Sequence, residues 1–414
     1  MEDKRKYDLY SAAFRARAHA TYAQMRDTDP VLQQPGIDGE TPIWFVTRYA
    51  DVEQVLLDNR TFVRDPALVS AEVAAKFSMP DTEIAAMTNN HMLNRDGSSH
   101  RRLRSLVSKA FTPKVVRDLR PRIEAVATEL LDRVAARGRM ELIDDFAFPL
   151  PITVIAELLG IPLQRQDDFR IWSNALVRPA LTPEEQEESG RLLREFLGYM
   201  VQLVVQRRQQ PGDDLLSRLI HVEEQGDQLD EGELFSMMVL LIVAGHETTV
   251  SLIGNAVLAL LQHPAAWQAL CDEPELIPGA IEELLRYDSP VERALTRWVA
   301  KDVALGGQQL RRGDLVVAVL GSANRDEARF QCPEELDLQR QPNPHLAFGK
   351  GAHYCLGAPL ARLEGEIALG ALLQRFPDLE LDIDPAELAW RDVPLFRSLQ
   401  QLPVRWRVEQ HTAR

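Results

Sequence analysis

Helical periodicity dominates the order of apolar and polar positions along the chain. Ile123, Val126, Ala127, Leu130, Leu131 and Val134 recur at three-and-four spacing, with Pro121 near the start and Gly138 near the end, which predicts an amphipathic helix. A second carries Leu192, Leu193, Phe196, Leu197, Met200, Val201 and Val204 and closes at Pro211-Gly212. A third, from about Glu233 to Leu261, is apolar nearly all round, the pattern of a buried helix. Its unbroken apolar stretch, Met237 to Gly245, is far below the ~20 residues a membrane span needs. Strands are fewer. Ile43–Thr47 and Leu315–Leu320 are β-branched or aromatic runs bounded by turn residues, and Leu402–Val408 alternates. The segment Thr296–Leu320, broken at Gly306-Gly307 and Arg312-Gly313, predicts a small antiparallel patch. The fold class is mainly α with minor β.

Composition narrows this picture modestly. A length of 414 residues suggests two or three domains at roughly 150 residues each. No linker, repeat or low-complexity tract divides the chain, however, so a single domain over residues 1–414 is expected. With 45% hydrophobic and 26% charged residues it reads as a soluble globular protein whose core needs no disulfide or metal staple. Lys plus Arg total 47 against 62 Asp plus Glu, a formal charge of −15, which argues against a general nucleic-acid binder. Three cysteines, Cys271, Cys332 and Cys355, are no disulfide framework and fit a reducing compartment. The opening Met-Glu-Asp-Lys-Arg-Lys-Tyr has no apolar stretch behind it, so neither signal peptide nor anchor is expected and the location is read as cytoplasmic.

The chemistry concentrates in His345-Leu-Ala-Phe-Gly-Lys-Gly-Ala-His-Tyr-Cys355-Leu-Gly. Cys355 sits in a glycine-punctuated loop just before a helix expected to start around Leu356. A helix N-terminus and the nearby Lys350 and His353 favour thiolate. Gly349, Gly351 and Gly357 permit tight turns and close approach of backbone to a large flat ligand. A lone cysteine is most often a buried packing residue, but a plain core cysteine has no use for three flanking glycines.

The run Phe348-Gly-x-Gly-x-His-x-Cys-Leu-Gly resembles the haem-binding signature of the cytochrome P450 family, complete at all seven fixed positions. The resemblance implies the P450 fold, one large helical domain with small antiparallel sheets around a buried haem b. It implies Cys355 as the proximal ligand of the haem iron, Phe348 shielding the sulfur from solvent with Gly349 beside it, and His353 at a haem propionate.

The apolar helix is interrupted by Ala244-Gly245-His246-Glu247-Thr248-Thr249, and a carboxylate and hydroxyl in a buried helix are costly unless paired or wet. Read without context, these are a back-bonded threonine and a salt-bridged glutamate. The stretch is similar to the family's oxygen-binding motif. That resemblance implies Thr248 as the proton-relaying alcohol, Glu247 as its acid, and Gly245 as a bare position where haem and oxygen approach. A zinc-protease reading of His246-Glu247 fails, because HExxH needs a histidine where Val250 stands.

Glu283-Leu-Leu-Arg286 places two opposite charges on one helix face, by itself a commonplace ion pair. Within the resemblance it matches the Glu-x-x-Arg motif that locks the core with a third arginine, for which Arg340 is the expected residue. His100 and Arg104, at i,i+4, and Arg297 are expected propionate contacts. The family usually has prolines after Asp96, where this chain reads Gly-Ser-Ser. From Arg101 to Arg120 seven Lys or Arg residues accompany one acid, Asp118, a stretch expected to face an acidic electron carrier.

The resemblance implies a monooxygenase that inserts one oxygen atom of dioxygen into a hydrophobic substrate such as a steroid, terpene, fatty acid or macrolide. The chain has too few cysteines for a plant-type iron–sulfur cluster and no flavin module, so ferredoxin, its reductase and, indirectly, NAD(P)H are the expected electron source. A monomer is expected, with no nucleic-acid or membrane partner. Peroxide-driven haem-thiolate catalysis and a non-catalytic haem sensor or carrier stay open at this point. Pocket positions are expected in Leu68–Leu93, Ile171–Met200, Leu240, Val243, Ala244, Ala294-Leu295 and Ser398-Leu399.

Overall fold

The computed structural model describes residues 5–77, 88–165, 168–169, 171–172, 175, 182–222 and 226–408. The opening Met1–Lys4 and much of the expected pocket, residues 78–87 and most of 173–181, lie outside them. Two compact units are interleaved along the chain. One comprises residues 1–63, 123–150 and 248–414, the other 64–122 and 151–247.

Among the described residues the strands all belong to the first unit: β1 (Val31–Pro35), β2 (Pro42–Val46), β3 (Phe62–Val63), β4 (Arg139–Glu141), β5 (Arg297–Val299), β6 (Val303–Leu305), β7 (Gln308–Leu310), β8 (Leu315–Ala318), β9 (Glu380–Leu381) and β10 (Pro403–Arg405). The main sheet has the order β1-β2-β8-β5-β3. Within it β1–β2, β5–β8 and β3–β5 are antiparallel, whereas β2 and β8 run parallel with Ile43 opposite Leu315 and Val46 opposite Ala318. The expected antiparallel patch is therefore part of a mixed sheet. Its inner face packs Val31, Val46, Phe62, Val299 and Val316 against Tyr49 and Val52 of the helix Tyr49–Leu57. The predicted strand Leu315–Leu320 stops at Ala318, and Leu320 opens a short helix to Ala323. All these positions are buried, so alternation carries no signal there.

Helices form where predicted, with ends set by capping. Arg120–Val134 buries all six of its periodic apolar residues. Pro183–Gln209 starts nine residues before Leu192, because Thr182 and Glu185 form a reciprocal capping box at 3.2 and 3.1 Å. The apolar helix spans Glu231–Leu261 and opens on the same device, Asp230 with Glu233, at 2.8 and 3.0 Å. By length and composition it is long enough to cross a membrane, yet 72% of its most apolar window is buried inside the protein.

The helix Ile277–Tyr287 packs on Ala358–Arg375, which follows the cysteine loop. Here Glu283 and Arg286 are no surface pair; both are fully buried. Arg286 donates to the Glu283 carboxylate at 2.8 and 2.7 Å and to the carbonyls of Asn324, Pro333 and Glu335 at 3.0, 2.8 and 3.0 Å. Arg340 completes the triad, its Nε 3.1 Å from both oxygens of Glu283. With every donor and acceptor satisfied, this network fixes the backbone leading into the cysteine loop.

Candidate active site

The cysteine loop lies wholly in the first unit. Cys355 N donates to Phe348 O at 3.0 Å and Gly349 N to Leu346 O at 2.8 Å, which closes a tight loop around the sulfur. Gly349 and Gly351 take φ of +69° and +76°, where other residues are strained, and a Cβ at Gly351 would meet Leu56 O at 2.8 Å. Gly357 is ordinary helical backbone, with a Cβ position at normal contact distance from Cys355 Sγ. The following helix starts at Ala358, two residues later than the pattern suggested.

Cys355 is exposed, whereas its loop is anchored at both ends. Among the described residues no group of three or more His, Cys, Asp and Glu gathers that could hold a bare metal ion. A thiol presented without companion ligands suits a metal whose other ligands come from a macrocycle. Arg297 is buried in the same unit, its Nη1 donating to Asn59 Oδ1 at 3.2 Å and Phe62 O at 3.1 Å. His353 lies two residues before Cys355, half-buried, in a single 3-10 turn. The donor set fits haem.

In the second unit, His100 and Arg104 share one face of the helix Gly97–Ala110, with His100 buried and Arg104 half-buried. Asp96, just before this helix, accepts from the backbone N–H groups of Arg64 and Asp65 at 2.6 and 2.8 Å, so the loop is held without the family's prolines.

The division between units falls inside the Glu231–Leu261 helix, between Glu247 and Thr248. Most of this helix is buried, but Ala244 is exposed and Leu240 and Thr248 are half-buried. At i, i+4 and i+8 these three line one open strip, apolar except for the Thr248 hydroxyl. Glu247 is buried, with Oε2 3.7 Å from His246 Nε2, and His246 Nδ1 lies 2.9 Å from Ile242 O. Gly245 also has a packing use. A Cβ there would come within 3.2 Å of Ile155 Cδ1, so its bareness serves close packing against the helix Pro149–Leu158.

A model of the cytochrome P450 family matches residues 37–387. The chain belongs to that family. It is 47% identical over 399 residues to cytochrome P450 107B1 of Saccharopolyspora erythraea, covering 96% of each chain. It is 40% identical over 403 residues to the 6-deoxyerythronolide B hydroxylase of the same organism, covering 96% of this chain and 98% of the other. The solved structure of the polyketide-synthase P450 PksS from Bacillus subtilis superposes with a TM-score of 0.90 at 42% identity, covering 97% and 99% of the two chains. The expected fold is thus the observed one, and the enzyme is a P450 monooxygenase.

Two residues escaped the sequence reading. Glu364, buried on the helix Ala358–Arg375, has a carboxyl that burial pushes up to about 8, with the Thr249 side chain offsetting part of that cost. Nothing in the sequence separates it from an ordinary helix glutamate. Arg102, read as a docking charge, is instead bound to Asp227 and Glu233.

Proposed function

We propose that one P450 domain, residues 1–414, holds haem b through Cys355 and oxygenates a hydrophobic small molecule. Its chain passes between the two units four times, three of them inside a helix, which supports a single domain. Haem bound through a cysteine thiolate supplies dioxygen activation. Phe348 and Gly349 shape the sulfur's surroundings, and His100, Arg104, Arg297 and His353 bind the propionates by charge-assisted hydrogen bonds. The observation that carries the reading is the open strip Leu240, Ala244 and Thr248 on a largely buried helix. Its apolar members orient substrate and exclude water, while Thr248 Oγ1 gives up a proton there and regains one through the neighbouring Glu247 carboxyl.

The substrate class we favour is a polyketide, since two of the relatives carry polyketide-related names and the strip offers almost no polar contact. Electrons come from NAD(P)H through a ferredoxin reductase and a ferredoxin that meets the exposed Arg101, Lys114 and Arg117. Among the described residues no cysteine forms a disulfide, which suits a reducing cytoplasm, and the protein acts as a monomer.

The holoenzyme's reduced CO complex is expected to show a red-shifted Soret band that Cys355→Ser abolishes. With ferredoxin, reductase and NADH, product should form in step with NADH use, on substrates found by a low-spin to high-spin shift. Turnover with peroxide alone would instead assign a peroxygenase, and the CO band without any turnover a haem carrier.

A further inference from the structure

We infer that Glu282 is a positioning residue for the sulfur site, a single carboxylate that grips Phe348 through Arg362 and His345 and so keeps the cover of Cys355 in place. Arg362 donates to Glu282 from Nε at 2.6 Å and from Nη2 at 2.8 Å, a bidentate pair. Its guanidinium carbon lies 4.5 Å from the Phe348 ring centroid. His345 Nε2 lies 3.1 Å from the second Glu282 oxygen, and its ring is 6.1 Å from that of Phe348. The Ala347 N–H donates to His345 Nδ1 at 3.2 Å, which puts the imidazole proton on Nε2, where it is given to Glu282. Tyr354 adds an edge contact to Phe348 at 6.4 Å and accepts from Arg362 Nη1 at 3.3 Å.

Phe348 is bonded through its carbonyl to the Cys355 N–H, so ring and sulfur belong to one loop. Arginine over an aromatic face is attracted by the ring quadrupole while the guanidinium is held within about 6 Å of the ring centroid. Glu282 does that holding. Although burial works against its charge, Arg362 and His345 keep its carboxyl down at about 2, so the grip persists across the working pH range. Glu282 adjoins Glu283 in sequence, yet the two serve different partners: Glu283 fixes the core triad and Glu282 the aromatic cover.

The inference rests on the proposed ligation by Cys355. A loosened cover admits water, whose hydrogen bonds draw electron density from the sulfur and favour the reduced iron, raising the reduction potential. Simple loss of the Glu282 charge would do the same, so the decisive variant is Glu282→Asp, which keeps the charge and shortens the reach. Holoenzyme potentials are to be measured for wild type, E282D, E282Q, Phe348→Leu and the E282D/F348L pair.

E282D should raise the potential as F348L does, add nothing in the F348L background, and speed loss of the red-shifted CO band about two- to fivefold. A wild-type potential in E282D with a shift in E282Q alone, or an additive double variant, overturns the inference. A wild type lacking the red-shifted CO band would sink the ligation itself, a separate outcome. Should E282D not retain haem, Arg362→Lys and His345→Gln each alter one of the two side chains that link Glu282 to the Phe348 ring and must shift the potential in the same direction; unshifted values in both also overturn it.

Discussion

Two adjacent threonines show how much a single step of helical rotation decides. Thr248 lies on the open strip, whereas Thr249 is buried beside Glu364. The motif Ala-Gly-His-Glu-Thr-Thr selects the first threonine only because a family pattern exists; polarity alone cannot. Thr248→Ala should leave substrate binding intact and uncouple oxygen use from product, read as peroxide released per NADH consumed, and full coupling would contradict the relay. Glu364 yields a stability prediction instead. Its carboxyl has an ordinary value of 4.5 and is pushed up to about 8 by burial. Below the lower value both folded and unfolded chains hold the proton. Between the two the unfolded chain releases it and the folded one does not, so stability falls as pH rises through this window. Glu364→Gln should abolish that fall and gain on the order of 2–3 kcal/mol at pH 7, allowing for burial of the amide. Denaturant unfolding at pH 5, 7 and 8 measures it.

At the scale of elements, local signals were legible and distant partners were not. The cysteine loop, the capped apolar helix and the Glu-x-x-Arg helix each carry their signature within a few residues. The parallel pairing of β2 with β8 joins segments about 270 residues apart, and nothing local specifies it. The contacts of Gly245 and Arg102 are hidden in the sequence for the same reason, since Ile155 and Asp227 are far along the chain. Arg102 donates to Asp227 Oδ1 at 2.9 Å, Gln228 O at 2.8 Å and Glu233 at 2.6 and 3.1 Å, tying the helix Gly97–Ala110 to the capped start of Glu231–Leu261. Removing it leaves the largely buried Glu233 without its cation. Because Arg102 is itself about one-third exposed, Arg102→Ala should cost only ~1–2 kcal/mol, less than a fully buried pair. Equilibrium unfolding reads that loss, and Arg101→Ala is the control expected to change stability by less than ~0.5 kcal/mol.

Over the whole molecule, charge should set how the proposed electron carrier approaches. The chain carries a net −15, so at long range an acidic ferredoxin is repelled. Against that background the stretch Arg101–Arg120 gives a local attraction, and its usable part is smaller than the sequence implied. Arg102 is occupied, and Arg104, Lys109 and Arg120 have interactions of their own within the protein. Arg101, Lys114 and Arg117 are exposed. Salt screens both terms over about 10 Å at 0.1 M, so the sign of the salt effect reports which term governs encounter. For the wild type, reduction by ferredoxin should slow as salt is added, because the attraction at contact is being screened. Reversing Arg101, Lys114 and Arg117 to Glu removes the attraction and leaves the repulsion. In that variant reduction should be slower at low salt and should speed up as salt rises, an inversion of slope rather than a mere weakening. Stopped-flow reduction across an ionic-strength series measures both slopes, and a variant that still slows with salt would place the docking charges elsewhere on the protein.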